Sequence, residues 1–371
     1  MSTTAQTVAS PALDKASTPP WRLRPLRLWL ATIALLIVAM VLVGGATRLT
    51  DSGLSITEWQ PIVGVVPPLS DSNWQEAFAA YQQIPEYQHL KRGMSLDDFK
   101  SIYWWEWAHR FLGRVIGAVF FVPFVVFWLL GFIPKALLPR LLGLFALGGV
   151  QGAVGWYMVK SGLVDRLDVS QYRLAAHLGI AVIILGYTLW LLFGLGQEQR
   201  RRGRLSSTAP AWIAAGVLAL IYLQILAGAL VAGLDAGIGF NTWPLINGSF
   251  IPKGLGIFNP WYLNPFENRL TVQFDHRTLG YAVVAATLAQ AGWHAAKRAP
   301  STLITSGFAV ACFALLQATL GVWTLLLVVP ISLALAHQAG AMLLFAVTLY
   351  HLWLTLEQRV AAPRIQTAAS A

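Results

Sequence analysis

Four histidines in two matched pairs carry the chemistry that this chain can do. His109 lies in Trp104-Trp-Glu-Trp-Ala-His-Arg-Phe-Leu-Gly113 and His177 in Ala175-Ala-His-Leu-Gly179. His276 lies in Phe274-Asp-His-Arg-Thr-Leu-Gly280 and His337 in Ala336-His-Gln-Ala-Gly340. Each stands near the start of a long apolar run, where an imidazole is costly to bury unless something binds it. Two imidazoles facing inward at equal depth on two helices of a bundle can hold an iron from both faces of a planar macrocycle. Each pair therefore suits one haem. Zinc or copper fits less well, because neither pair has a Cys or a carboxylate pair to complete a metal site.

Other groups stand around the histidines. Glu106 lies three residues before His109, on the same helical face, and an acid in such a run is usually functional. Its counterpart beside His276 is Gln273, so the two sites differ where chemistry would occur. Arg110, Arg277 and Arg173 lie near the same ends of their runs. They are candidate partners for haem propionates, or they reach out to lipid headgroups. His294 and His351 are expected at the opposite, interfacial ends of their helices, and His89 in solvent. Cys312 is expected as a small core residue. Trp104, Trp105 and Trp107 read as an aromatic belt at a membrane surface.

The elements that must position these groups follow from composition. Of 371 residues 56% are hydrophobic and only 11% charged, which describes an integral membrane protein rather than a soluble domain. The net charge of +10 falls in short clusters between apolar runs, which excludes nucleic acid as a partner. Eight runs are long enough to span a bilayer, roughly 27–46, 104–130, 137–158, 171–195, 210–232, 274–294, 303–328 and 331–356. Lys15, Arg22, Arg24, Arg27, Lys135, Arg140, Arg200, Arg201, Arg202, Arg204, Lys297, Arg298, Arg359 and Arg364 all then fall on one side. The positive-inside rule makes that side, with both termini, cytoplasmic. The four histidines come within the first two turns of the even-numbered spans, at one depth near the outer face.

The chain is also a tandem repeat. Gly44-Gly-Ala-Thr-Arg-Leu-Thr-Asp-Ser-Gly-Leu54 followed by Trp59 matches Gly228-Ala-Leu-Val-Ala-Gly-Leu-Asp-Ala-Gly-Ile238 followed by Trp243. His109-Arg110 matches His276-Arg277, Gln151 falls with Gln317, and His177 with His337. The expected architecture is all-α, with eight transmembrane helices forming two pseudo-symmetric four-helix bundles. The divisions are a cytoplasmic tail at 1–26, a first half at 27–195 with a long outer loop at 47–103, a basic linker at 196–209, a second half at 210–356 with an outer loop at 233–273, and a tail at 357–371. Within the first loop, Ser95-Leu-Asp-Asp98 reads as a helix start.

These residues together resemble haem A synthase of the alphaproteobacterial and mitochondrial kind, over nearly the whole chain. The resemblance rests on the spans, the tandem halves, Gly44 to Trp59, Glu106-x-x-His109-Arg110 and the three further histidines. It implies a resident haem b held by His276 and His337, and substrate haem O held near His109 and His177. It also implies oxidation of a ring methyl of haem O to a formyl group by successive hydroxylations through a gem-diol, giving haem A for a terminal oxidase. Glu106 would be the essential acid. Some members of the family carry a cysteine pair in the first outer loop, and this chain has none. Haem O synthase, oxidase assembly factors, a second copy of the chain and an unidentified electron acceptor are the implied partners. With no cleavable signal or transit peptide apparent, the expected location is a bacterial inner membrane. The residues alone leave a competitor, a diheme b-type cytochrome that carries electrons or oxidises quinol. The single acid at one pair favours the enzyme, and a transporter would place its ionisable groups at mid-membrane instead.

Overall fold

The computed structural model describes residues 20–58, 63–165, 169–195 and 209–357. Among them regular structure is helical apart from one isolated bridge between Ile246 and Ser249. The helices are α1 (Pro20–Leu49), α2 (Asp71–Tyr81), α3 (Pro85–His89), α4 (Leu96–Leu129), α5 (Leu138–Asp165), α6 (Gln171–Gly194), α7 (Ala209–Gly233), α8 (Ala236–Gly239), α9 (Asn264–Glu267), α10 (Arg269–Ala296), α11 (Ser301–Leu326) and α12 (Ile331–Glu357). Seven of the eight long ones are long and apolar enough to cross a membrane, the build of a multi-pass membrane protein. The exception is α10. It forms where a span was expected and has 28 residues, but Arg269, Asp275 and Arg277 crowd its outer turns and dilute its apolar character.

Packing follows the repeat. In the first half α1 packs on α4 and α6, and α5 on α6; in the second α7 packs on α10 and α12, and α11 lies between α10 and α12. The halves meet where α6 packs on α7 and where α12 packs on α1 and α6. One apolar core runs through this junction, with Leu30, Ile33, Val182, Leu185, Ile221 and Met342 fully buried. A separate core of Trp74, Tyr81, Ile84, Phe99 and Tyr103 joins α2 and α3 to the first turns of α4.

The outer loops are shorter than expected at both ends. The Ser95 hydroxyl and the Asp98 side chain form a capping box, so the helix start at Ser95 is the start of α4 itself, and α1 continues to Leu49. Asn268 likewise caps α10 through the Leu270 N–H, which brings that helix forward from the expected 274. A boundary read from hydropathy misses these polar first turns, which stand above the apolar run. The basic linker except Ala209, the tails at 1–19 and 358–371, and Trp59 lie outside the described residues.

Two expectations are corrected. Cys312 is exposed on the outside of α11 and is not a core residue. In a membrane protein an apolar side chain may face lipid, so apolar character alone does not mark the core. His294 and His351, expected at interfacial helix ends, are fully buried within the protein and paired with each other, Nε2 to Nε2 at 3.3 Å. The two rings meet beside α11, where Gly307 makes room, since a Cβ on it would lie 3.3 Å from the His294 ring and 3.7 Å from the His351 ring. Ser306 Oγ donates to the Thr302 carbonyl at 2.7 Å and lies 2.8 Å from His351 Nδ1, which extends the polar chain.

Candidate functional site

Each of the four matched histidines lies on a glycine of the preceding long helix. A Cβ at Gly44 of α1 would stand 2.9 Å from His109 Cε1 of α4, and one at Gly155 of α5 2.9 Å from His177 Cε1 of α6. In the second half a Cβ at Gly228 of α7 would stand 3.1 Å from His276 Cε1 of α10, and one at Gly321 of α11 2.8 Å from His337 Cε1 of α12. Only a residue without a side chain lets the ring approach so closely. His109 and His177 lie within electrostatic reach of each other, as do His276 and His337.

A glutamine amide fixes three of the rings. Gln224 donates to the His276 carbonyl at 3.0 Å and its amide nitrogen lies 3.2 Å from Nδ1 of the same ring. Gln317 does the same at His337, at 2.8 Å and 3.0 Å. Gln151 donates to the His177 carbonyl at 3.1 Å, but its amide meets Nε2 of that ring at 3.3 Å, leaving Nδ1 buried without a partner. His109 Nδ1 is also buried without a partner. Gln224 is the member of this set that its sequence did not single out.

Glu106 is buried at 2% exposure, and its matched residue Gln273 at 3%, so the difference between them is one of charge and not of place. The Glu106 carboxylate accepts from Ser55 Oγ at 2.8 Å and from the Ile56 N–H at 2.6 Å, and pairs with Arg110 at 2.5 Å. Gln273 Oε1 has no partner. Arg110 donates to the Ile56 and Glu58 carbonyls, and Arg277 to the matching Phe240 and Thr242 carbonyls. Both arginines thus hold the loop that follows the preceding helix. Arg173 lies over the Tyr157 ring at 4.8 Å. Trp104 and Trp105 are exposed, as a surface belt requires, while Trp107 stacks on Phe111 at 4.9 Å. His89 is exposed.

The halves differ in closure as well. α10 and α11 pack together over much of their length, whereas α4 and α5 touch over a short stretch. The apolar window of α5 is 6% buried against 28% for α11. At Gly148, Gly149 and Gly152 of α5 an added Cβ would meet nothing within 4 Å.

Among the described residues no group of three or more His, Cys, Asp and Glu could hold a bare metal ion. Two imidazoles per half within electrostatic reach of each other, each seated on a glycine, fit an iron already held by a macrocycle, which needs only axial ligands.

Comparison with known proteins identifies the family. The family described as "Cytochrome oxidase assembly protein" matches residues 27–349. The chain is 53% identical over 323 residues to a protein of Parvibaculum lavamentivorans named "Heme A synthase", covering 87% of this chain and 92% of that one. It is 51% identical to the protein of that name from Maricaulis maris, over 89% of this chain and 96% of the other. With the same name from Agrobacterium fabrum it shares 50% identity, over 88% and 89%. Similarity of this degree along nearly the full length, together with the paired histidines, places the chain in the haem A synthase family of cytochrome oxidase assembly proteins.

Proposed function

We infer that this chain performs the reaction for which its relatives are named, as an oxidoreductase that converts haem O to haem A. The eight long helices form two membrane-embedded four-helix units, α10 included, because α7 and α11 shield it on both sides. Both termini are cytoplasmic and the four rings lie towards the outer face of a bacterial inner membrane. The second half holds a resident haem b between His276 and His337. The first half receives haem O between His109 and His177, with the propionates directed to Arg110 and Arg173 there and to Arg277 in the second half.

The observation that carries this reading is the acid at one of two matched positions: Glu106 stands buried at one site where Gln273 stands at the other. An electron wire between two permanent haems has no need of it. The looser seam between α4 and α5 supports the same division, since a substrate must come and go while a cofactor stays. The haem supplies redox chemistry once bound. The chain's own residues hold the rings in place and exclude water from the apolar bundle. Glu106 takes and returns a proton at the reacting methyl, with Arg110 and the Ile56 N–H keeping its charge in place.

Pigment extraction from protein purified out of cells that make haem O tests this. Haem B with substoichiometric haem O or haem A is expected. Two equivalents of haem B and nothing else would favour the diheme electron carrier.

A further inference from the structure

We propose that Met40 is a positioning residue that keeps the first-half haem exchangeable, by denying His109 the amide clamp that the other three histidines have. The proposal rests on the reading of the first half as the substrate site.

The clamp is built to a rule. One helical turn before the glycine under each ring stands a matched residue: Gln151 before Gly155, Gln224 before Gly228, Gln317 before Gly321, and Met40 before Gly44. The three glutamines each donate to the carbonyl of their histidine and touch its ring. Met40 occupies the same place as Gln224. A Cβ on Gly113 would lie 3.4 Å from Met40 Cε, and one on the matching Gly280 would lie 3.3 Å from Gln224 Nε2. A thioether has no N–H to donate and is a weak acceptor. The His109 carbonyl therefore receives no amide from α1, and its Nδ1 is buried without a partner.

The partner of a metal-ligating histidine fixes its ring orientation and its basicity, and loss of that partner typically lowers metal affinity about 10–100-fold. A cofactor site gains from holding both rings, as His276 and His337 are held at Nδ1. A substrate site must release its product, and there only His177 meets an amide, at Nε2, while His109 Nδ1 is buried without a partner. The exception to the glutamine rule falls beside the one histidine that shares its helix face with Glu106.

Full-length wild type, Met40→Gln, Met40→Leu and Gln224→Met, purified from cells making haem O, test the proposal. Haem content per chain is measured by extraction, and haem release by transfer to apomyoglobin, followed in the visible spectrum. Met40→Gln should raise haem O plus haem A towards one per chain and slow their transfer about 10–100-fold. It should leave haem B content as in wild type, and Met40→Leu should match wild type throughout. Gln224→Met should speed the loss of haem B. Wild-type content and transfer rate in Met40→Gln would overturn the proposal, as would equal retention in Met40→Leu, which would assign the effect to packing. Should Met40→Gln lose its haem B through misfolding, Gln224→Met decides, and unchanged haem B retention there overturns the proposal. Retention of extra haem B in Met40→Gln, with no haem O or haem A in any variant, would keep the clamp and overturn the substrate-site reading instead.

Discussion

The Glu106 carboxylate and the Arg110 guanidinium meet at 2.5 Å one turn apart on α4, and both also grip residues 55–58 of the loop that follows α1. The second half keeps the arginine grip through Arg277 but has no acid in it. The carboxylate anchors the loop, and under the proposed function it would also handle protons, a duty separable from the first. Glu106→Gln keeps the side-chain shape and one accepting oxygen for Ser55 and the Ile56 N–H, and removes the charge and the oxygen that accepts from Arg110. Both haem sites should stay occupied while oxidation of haem O slows by about 10²–10⁴-fold, the usual range for a lost acid or base. Turnover with haem content measured on the same preparation checks this, and full activity would remove Glu106 from the chemistry. Loss of activity together with faster protease cleavage of residues 50–58 would assign Glu106 to the anchor alone.

Replacement of His276 or His337 by Ala removes one of two axial donors in the half read as the cofactor site. Each variant should lose the low-spin bis-imidazole spectrum of the resident haem. An unchanged spectrum in either would refute that assignment.

Gly321 is a sharper probe, because it touches the site without being a ligand. A Cβ there would stand 2.8 Å from His337 Cε1, so Gly321→Ala must push the ring out of place, whereas Gly152→Ala on α5 meets open space. Gly321→Ala should deplete haem B and Gly152→Ala should leave it unchanged. Overpacking of this kind typically destabilises by about 1–3 kcal/mol, which thermal unfolding of the detergent-solubilised pair would register.

Much of this was legible in the sequence, because the repeat supplied its own control. The matched histidines and Glu106 against Gln273 show as agreements or differences between two copies of one pattern, while the helix start at Ser95 shows as a local capping motif. The backbone follows suit: Asp51 and Asp235, matched in sequence, both take a left-handed φ, 48° and 51°. Arg48 bonds to both of them and so ties the halves together. The Gln224 clamp escaped because its partner in the first copy is Met40, and a polar position matched by an apolar one does not read as a motif. The pairing of His294 with His351 escaped for a different reason. It depends on side chains of two helices meeting beside a third, and the repeat places the apolar Phe127 and Leu191 at the corresponding positions, so nothing pointed to a joint role. A histidine without a counterpart in the other copy was the available signal.

The packing of α2 and α3, which are not among the long apolar helices, on the first turns of α4 offers a pH test. Glu86 of α3 is buried, and burial holds its carboxyl above the ordinary 4.5 despite Lys91 at 3.2 Å and the Tyr81 hydroxyl at 3.3 Å, both of which favour the charged form. The same burial, with the neighbouring Glu86 charge, raises the Tyr81 hydroxyl. A carboxyl whose pKa is higher in the folded state contributes stability that is fully present below the unfolded value, and loses it as pH rises through the folded one. Glu86 should therefore stabilise the packing of α2 and α3 on α4 near pH 4.5 and weaken it at neutral pH. Glu86→Gln has no such titration. The stability of wild type relative to Glu86→Gln should fall between pH 4.5 and about pH 8, as read from protease resistance of residues 71–95 in the purified, detergent-solubilised protein. A flat or rising difference would mean that the Lys91 pair outweighs the cost of burying the charge.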